Sequence, residues 1–502
     1  MKYSKKYFFQ LLLVSIGLGL YMQATAQNKI TKPNIIYIYA DDLGYGELGS
    51  YGQKKIRTPH LDQMAKEGMR FTQHYSSAPV CAPSRCMLMT GKNPGHAYIR
   101  GNYELGGFAD NEEGGQMPLH EGAYTIAKML KERGYTTALI GKWGMGVTGT
   151  TGSPLKQGFD YYYGYLDQKQ AHNYYPTHLW ENDQWDSLQN PFINVHSSIN
   201  PITATDADFE KYRGKDYAPA KMTQKALGFI EKNGSHPFFL YLPYTIPHLS
   251  LQAPVEYVKK YIGEFEEQPY YGEKGYAPNK YPRSTYAAMI TFLDDQVGII
   301  IDKIKKMGLD NNTLIMFSSD NGATFSAGVD VNFFNSVSGL RGLKMDLYEG
   351  GIKVPFIARW PGKIKANAVS DILSVQYDIM PTLAELTGKP LQLDGVSLLP
   401  TLLSKKSIQS KRPFMYFEYP ENGGQMAVRI GKWKGVKMNV RKNPLGDWEL
   451  FDIEIDPNEK NNVASSNIKI IEQMKQIAKQ QHLHPQVIDW EFIDPKIPKA
   501  NK

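Results

Sequence analysis

Short apolar runs that each stop at a polar residue recur along the chain. The clearest of them cover residues 35–40, 136–140, 237–242 and 313–317. Uninterrupted apolar runs are typical of parallel strands in a sheet that is covered on both faces. Helical patterns lie between them, over residues 58–69, 125–133, 221–232 and 286–307. This alternation predicts an α/β fold, with a large parallel or mixed sheet sandwiched by helices.

Polar side chains follow each of these predicted strands. Asp41 and Asp42 come directly after the first, Lys142 follows the second, His248 comes shortly after the third, and Asp320 with Asn321 follows the fourth. Ligands of open α/β sheets bind outside the carboxyl ends of the strands. We therefore expect these side chains to converge on one site.

The acidic members of this set predict a metal. Adjacent carboxylates at Asp41 and Asp42 repel each other unless a cation lies between them, and Asp320 and Asn321 add two further oxygen ligands. Hard oxygen donors favour Ca²⁺ or Mg²⁺ over zinc.

The pattern changes after about residue 405. Residues 413–419, 426–430 and 433–438 predict short antiparallel strands, and residues 468–482 predict a closing helix. We therefore predict a catalytic domain over residues 27–405 and a smaller C-terminal α+β subdomain over residues 406–502. Long loops at 95–120, 144–216 and 262–283 predict lids or binding walls.

The first 26 residues predict a cleavable signal peptide. A basic start is followed by an apolar stretch too short to span a membrane comfortably, and then by Ala-Thr-Ala at 24–26. The mature protein is expected to be exported, periplasmic or secreted, without stable membrane insertion. Removing three lysines lowers the formal charge from +7 to +4, a weak excess that argues against a nucleic-acid partner.

Composition supports an ordinary globular protein. Of the 502 residues 42% are hydrophobic and 21% charged, which excludes a disordered chain and a polytopic membrane protein. The two cysteines are Cys81 and Cys86. They are so close in sequence that a disulfide between them would close only a very small loop. Cys81 precedes a proline-started helical pattern, so we expect it at a helix N-terminus, where the helix dipole favours a developing anion.

Residues 81–85 (CAPSR) with MTG at 89–91 resemble the signature of the formylglycine-dependent (type I) sulfatases. Further pieces match that family in order: PN at 33–34 before DD at 41–42, GKW at 141–143, PH at 247–248, SDNG at 319–322, RGLK at 341–344 and YEGG at 348–351. The resemblance covers almost the whole mature chain and implies an alkaline-phosphatase-like fold.

The resemblance also implies the site residues. A maturation enzyme would oxidise Cys81 to formylglycine before folding. One Ca²⁺ would be held by Asp41, Asp42, Asp320, Asn321 and the modified Cys81. Arg85 would steady the hydrated aldehyde, Lys142 and Lys344 would bind sulfate oxygens, and His248 would protonate the leaving oxygen.

One departure from the family pattern concerns position 144. The family commonly has a second histidine two residues after the lysine, where this chain has Gly144. The segment at 170–176 (QAHNYYP) resembles a branch of carbohydrate sulfatases that also lacks this histidine, so we hypothesise that His172 enters the active site. Arg100, Asp330 and Asn335 are further candidates for substrate binding.

The lid and the 333–336 segment resemble bacterial sulfatases acting on galactose or N-acetylgalactosamine sulfates. The sequence therefore predicts a sulfuric ester hydrolase that degrades sulfated carbohydrates. Two alternatives stay open. One is a formylglycine-dependent phosphonate monoester or phosphodiester hydrolase, and the other is a non-catalytic protein that binds sulfated glycans.

Overall fold

The four apolar runs are neighbouring strands of one sheet in the computed structural model, which describes residues 32–494. Within those residues the strands are β1 Asn34–Asp41, β2 Met69–Phe71, β3 His74–Tyr75, β4 Glu104–Gly106, β5 Glu113–Gln116, β6 Thr136–Lys142, β7 Tyr161–Tyr165, β8 His178–Glu181, β9 Gln184–Ser187, β10 Phe238–Pro247, β11 Thr313–Ser319, β12 Phe356–Arg359, β13 Ala368–Ser370, β14 Ser374–Val375, β15 Met415–Tyr419, β16 Gln425–Ile430, β17 Trp433–Lys437 and β18 Glu449–Asp452.

The large sheet has a parallel centre and antiparallel borders. Its strand order is β13-β2-β12-β11-β1-β10-β6-β7-β8-β9. The strands β11, β1, β10, β6 and β7 run parallel, whereas β12 is antiparallel to β11 on one side and β8 to β7 on the other. The carboxyl ends of the central strands therefore meet at one edge.

Helices lie between the strands in sequence, as the pattern predicts. In the same residues they are α1 Pro59–Glu67, α2 Cys81–Thr90, α3 Ile126–Glu132, α4 Asp206–Glu210, α5 Ala218–Asn233, α6 Val255–Val258, α7 Pro282–Lys306, α8 Val331–Phe334, α9 Glu349–Ile352, α10 Ile379–Leu386, α11 Leu399–Leu402 and α12 Ile468–Gln481. Thr125 caps α3, because its hydroxyl oxygen accepts from the backbone N–H of Lys128 at 3.1 Å.

Both faces of the sheet are covered, and alternate residues of β1 show it. Ile36 and Ile38 belong to a core shared with α1, α5 and α7, whereas Ile35 and Tyr37 belong to a second core shared with α2, α3 and α10. Since successive side chains of a strand point to opposite faces, an entirely apolar strand has to lie between two helical layers. The predicted fold class is confirmed.

The C-terminal part forms a separate small sheet. Strands β15 to β18 are antiparallel in that order, and apolar residues of α12 pack on them. The three predicted strands and the helix are present. The pattern missed β18, because four residues between polar stretches carry too little periodicity.

Residues from Asn34 onward belong to one compact unit, and the boundary near residue 405 stays a prediction. The predicted signal peptide at 1–26 lies outside the described residues. Between residues 32 and 494, no helix has the length and apolar character that a bilayer crossing needs.

The two-layer core makes a stability prediction. Ile36→Ala removes a side chain that is 0% exposed and should lower the free energy of unfolding by about 2–5 kcal/mol. Ile202→Ala is the matched control, because Ile202 is 91% exposed. Urea unfolding followed by tryptophan fluorescence measures both midpoints. Equal midpoints for the two variants would contradict the assignment of Ile36 to the core.

Candidate active site

The carboxyl ends of four adjacent strands bring charged residues together. Asp41 ends β1 and Lys142 ends β6, while His248 and Asp320 directly follow β10 and β11. Lys142 Nζ lies 2.7 Å from Asp41 Oδ2. All four side chains are at least nine-tenths buried, so the predicted convergence at this edge is confirmed.

The turn after β1 directs a second carboxylate to the same place. Asp42 adopts a left-handed backbone conformation with φ 66°, which the short polar side chain of aspartate tolerates. Its backbone N–H donates to Asp320 Oδ1 at 3.0 Å, and Asn321 Nδ2 donates to Asp42 Oδ1 at 2.7 Å. These bonds tie the ends of β1 and β11 together.

Cys81 lies at the first position of α2, a helix whose residues are all buried. Its thiol donates to Asp41 Oδ1 at 3.2 Å. The next backbone N–H, that of Ala82, donates to Asn102 Oδ1 at 3.0 Å. One turn along the helix, Arg85 donates to Asp320 Oδ2 at 2.8 Å. The sequence-based placement of Cys81 at a helix N-terminus is confirmed.

A second lysine approaches from the loop before α9. Lys344 Nζ lies 2.9 Å from Asp42 Oδ2. The loop is held by Gln425 of the C-terminal sheet, whose amide donates to Met345 O at 2.8 Å and accepts from the N–H of Leu347 at 2.9 Å. The small sheet therefore positions one of the two lysines.

Two histidines stack at the rim of this cluster. His248 Nε2 lies 3.7 Å from Asp42 Oδ2. The ring of His172 is nearly parallel to that of His248, with centroids 5.1 Å apart and planes at 14°. His172 Nδ1 is 3.1 Å from His196 Nε2. Tyr174 donates to the backbone oxygen of His248 at 2.7 Å, so the 170–176 segment packs on the end of β10.

A histidine at position 144 would be strained and would require the side chain of Gln168 to move. Gly144 has φ 74°, and a Cβ there would lie 2.8 Å from Gln168 Cγ. Side chains other than glycine are strained at such a φ. Gln168 lies four residues before His172, and its side chain occupies the place beside Gly144.

Burial and neighbouring charges shift several pKa values. Burial raises the pKa of the Cys81 thiol well above its ordinary value, and Asp320 and Asp41 add to the effect. Burial would also raise the pKa of Asp41, but Lys142, His248 and Arg85 outweigh it and hold that pKa low. Burial, with Lys344, lowers the pKa of His248 to about 4. Burial, with Asp41, raises the pKa of Asp320 to about 7.

The donor set fits a hard cation. Asp41, Asp42, Cys81 and His248 each place a potential ligand atom within 4.8 Å of the others. Asn321 Oδ1 is buried and, among the described residues, has no hydrogen-bond partner. A buried carbonyl oxygen without a partner is costly, and a cation coordinated there would satisfy it. Carboxylate and amide oxygens are the ligands that Ca²⁺ takes.

The remaining predicted substrate contacts have structural partners. Arg100 is 2% exposed, and its guanidinium donates to Glu418 Oε1 at 2.7 Å and to three backbone oxygens. Asp330 caps α8 by accepting from Phe333 N–H at 2.9 Å and pairs with Arg283 at 2.6 Å. Asn335 is exposed and ends α8 at φ 50°. The bonds of Arg100 attach its loop to the C-terminal sheet, away from solvent.

Sequence reasoning missed residues that act through long-range contacts. Asn102 and Gln425 position the Cys81 helix and the Lys344 loop, and Tyr276 contributes a ring 5.2 Å from that of His172. Asn102 is 20 residues from Ala82 along the chain, and Gln425 is 80 residues from Met345. No local pattern marks them, because each lies in a loop or an ordinary strand.

Comparison with known proteins agrees with this geometry. Residues 33–389 match the family described as Sulfatase. Residues 343–484 match the family described as N-sulphoglucosamine sulphohydrolase, C-terminal. The first match covers the Cys81 helix, the four strand ends and the Lys344 loop.

Two similar proteins carry sulfatase names, and a solved structure shares the fold. The N-acetylgalactosamine-6-sulfatase of Mus musculus is 33% identical over 85% of this chain and 75% of its own. The N-acetylgalactosamine-6-O-sulfatase of Bacteroides thetaiotaomicron is 30% identical over 89% and 92%. The solved structure of Ps i-CgsB in complex with k-i-k-neocarrahexaose superposes with a TM-score of 0.74, at 31% identity over 91% and 94%. The chain therefore belongs to the sulfatase family and is a sulfuric ester hydrolase.

Proposed function

We propose that the protein is an exported glycan sulfatase that hydrolyses sulfate esters of galactose or N-acetylgalactosamine, with oxidised Cys81 as nucleophile and one Ca²⁺ as cofactor. The observation that carries the proposal is the buried cluster in which Cys81, the two successive carboxylates and the two lysines meet. A sulfate ester carries one negative charge, and this cluster offers both cations to bind it and a side chain to attack it.

The nucleophile is the formylglycine hydrate made from Cys81. Its CAPSR context and its position at the N-terminus of α2, beside Asp41, support this assignment. One hydroxyl of the hydrate attacks sulfur and displaces the sugar oxygen. The second hydroxyl then loses its proton, the carbon–oxygen bond to sulfate breaks, and the aldehyde re-forms.

The cationic side chains stabilise this transfer. Lys142 contacts Asp41 and Lys344 contacts Asp42, so a sulfate bound beside this pair of carboxylates receives positive charge from both lysines. Preorganised charges of this kind are commonly the largest catalytic contribution. His248 Nδ1 donates to the backbone oxygen of Leu249 at 2.7 Å, so Nε2 faces the site. A bound sulfate ester is an anion and favours the protonated ring, whose Nε2–H then donates its proton to the leaving oxygen.

Asp41, Asp42, Asp320, Asn321 and the modified Cys81 would hold the Ca²⁺. When bound, it supplies positive charge beside the nucleophile. The three carboxylates here face three cationic side chains, Arg85, Lys142 and Lys344. With a divalent ion the cluster carries an excess of positive charge, which suits an anionic ester.

The substrate class is supported by the similar proteins. Two of them are named for N-acetylgalactosamine 6-sulfate, and a third was solved with a neocarrahexaose. Export is supported by the signal-peptide pattern at 1–26. A formylglycine-generating enzyme is the expected maturation partner, and sulfated carbohydrate is the expected substrate.

The central test measures sulfate release from position-defined sulfated galactose and N-acetylgalactosamine. Protein from a host with the maturation enzyme should release sulfate, and aldehyde capture followed by mass spectrometry should find formylglycine at position 81. Cys81→Ala should be inactive on every sugar, because the nucleophile is absent. Cys86→Ala is the matched control, since Cys86 is buried elsewhere in the same helix.

The same assay separates the alternatives. Faster hydrolysis of phenyl phosphonate esters than of any sulfated sugar would contradict the proposal and favour the phosphonate hydrolase. Unmodified Cys81 in protein from its native host, with sulfated glycan bound and no turnover, would favour the non-catalytic binder.

Metal removal tests the cofactor independently of turnover. Chelation with EGTA should abolish activity and lower the melting temperature, and added Ca²⁺ should restore both. Saturation at about 100 times Kd corresponds to about 2.7 kcal/mol of stabilisation. Asn321→Ala should reduce the Ca²⁺-dependent rise in melting temperature, whereas Asn461→Ala, at an exposed asparagine, should retain it. An EGTA-insensitive melting temperature would contradict the Ca²⁺ site.

His172 is proposed to serve the hydrate in place of the histidine missing at position 144. Its ring stacks on that of His248, and the side chain of Gln168, four residues earlier, lies beside Gly144. These contacts support the assignment of His172 as the base of the regeneration step.

Replacement of His172 tests this role. His172→Ala should lower kcat about 100-fold with a smaller change in KM, since loss of a general base costs roughly 10²–10⁴ in rate. His236→Ala, at an exposed histidine, should leave both constants unchanged. A kcat within twofold of wild type in His172→Ala would remove His172 from the mechanism.

A further inference from the structure

A groove of about 710 Å³ lies outside the cluster of catalytic candidates. Its walls are formed by segment 266–274 on one side, and on the other by the loop that runs from Phe325 to α8. The volume falls within the range of small-molecule sites, roughly 300–1,000 Å³. None of the proposed catalytic or metal-binding residues lines it.

Both walls lead directly into the active site. Lys274 lines the groove, and two residues later Tyr276 places its ring 6.4 Å from that of His248. Leu343 lines the opposite side and is followed by Lys344. Since consecutive Cα atoms are about 3.8 Å apart, the backbone of both groove walls lies within about 8 Å of that of Tyr276 or Lys344.

An exposed aromatic side chain lines this groove. Phe325 follows Asn321 by four residues, and it is 49% exposed. Aromatic rings carry a large apolar surface, and the C–H face of a sugar ring is a flat apolar surface that can cover it. Phe325 therefore offers a stacking surface for a sugar residue in the groove.

The acidic side chains that line the groove outnumber the cationic ones. Its lining includes four carboxylates, those of Glu266, Glu267, Glu273 and Asp330, against the two cations of Lys274 and Arg283. Arg283 is already paired with Asp330 at 2.6 Å. Carboxylates accept hydrogen bonds from hydroxyl groups, but they repel uronates and sulfates.

We propose that the groove binds an uncharged sugar residue next to the sulfated one. This inference rests on the proposed sulfatase activity toward glycans and narrows its substrate class. The enzyme acts on sulfated oligosaccharides whose neighbouring residue is neutral, in preference to chains in which that residue is a uronic acid.

Kinetics on three classes of substrate with the same sulfated sugar test the proposal: the monosaccharide, disaccharides with a neutral neighbour on either side, and their uronic-acid counterparts. We expect kcat/KM for the best neutral disaccharide to exceed that for the other two classes at least tenfold. Phe325→Ala should lower the ratio of disaccharide to monosaccharide kcat/KM at least fivefold, and Phe192→Ala, also at an exposed phenylalanine, should retain it. The double variant Glu266→Gln/Glu273→Gln should raise kcat/KM for the uronic-acid disaccharides.

Equal kcat/KM for the three classes of substrate would overturn the groove assignment while leaving the proposed function intact. Absence of sulfate release from all of them would instead contradict the proposed function. In that case calorimetry, which measures binding of the neutral oligosaccharide without turnover, tests the groove assignment. Weaker binding by Phe325→Ala than by Phe192→Ala would support it, and equal binding would overturn it.

Discussion

The balance of buried charge at one sheet edge constrains the rest of the structure. Asp41, Asp42 and Asp320 lie out of water, and each has a cationic partner at 2.7–2.9 Å from Lys142, Lys344 or Arg85. Removing one partner of a buried ion pair leaves an uncompensated charge, which costs about 3–5 kcal/mol. The partners come from separate strands, a helix and a loop, so the cluster exists only where the whole fold brings them together.

This constraint explains which parts of the fold and the site could be predicted from the sequence. The central strands were predictable because a strand covered on both faces must be apolar, and because the polar residue ending each run marks the carboxyl edge. The helical patterns between the apolar runs also implied that the central strands run parallel. The site positions of Asp41, Lys142, His248 and Asp320 followed from that edge alone, without knowledge of any side-chain contact.

Contacts across the fold were beyond a local pattern. Arg100 was a sequence-based candidate for substrate binding, and in the structure its guanidinium donates to Glu418, which is 318 residues away. Asp330 likewise forms an ion pair with Arg283. The C-terminal sheet was predicted as an appendage, yet Gln425 anchors the loop that carries Lys344. Its structural role depends on long-range packing that composition does not record.

The lid and the glycine at position 144 form one adaptation. At φ 74° a side chain at position 144 would be strained, and it would have to displace the side chain of Gln168. The chain after Gln168 places His172 against His248 and is held there by Tyr174, which donates to the backbone of residue 248. A histidine at position 144 would therefore compete with the Gln168 side chain for one volume. Gln168 thus links the glycine at position 144 to the segment that carries the stacked histidine.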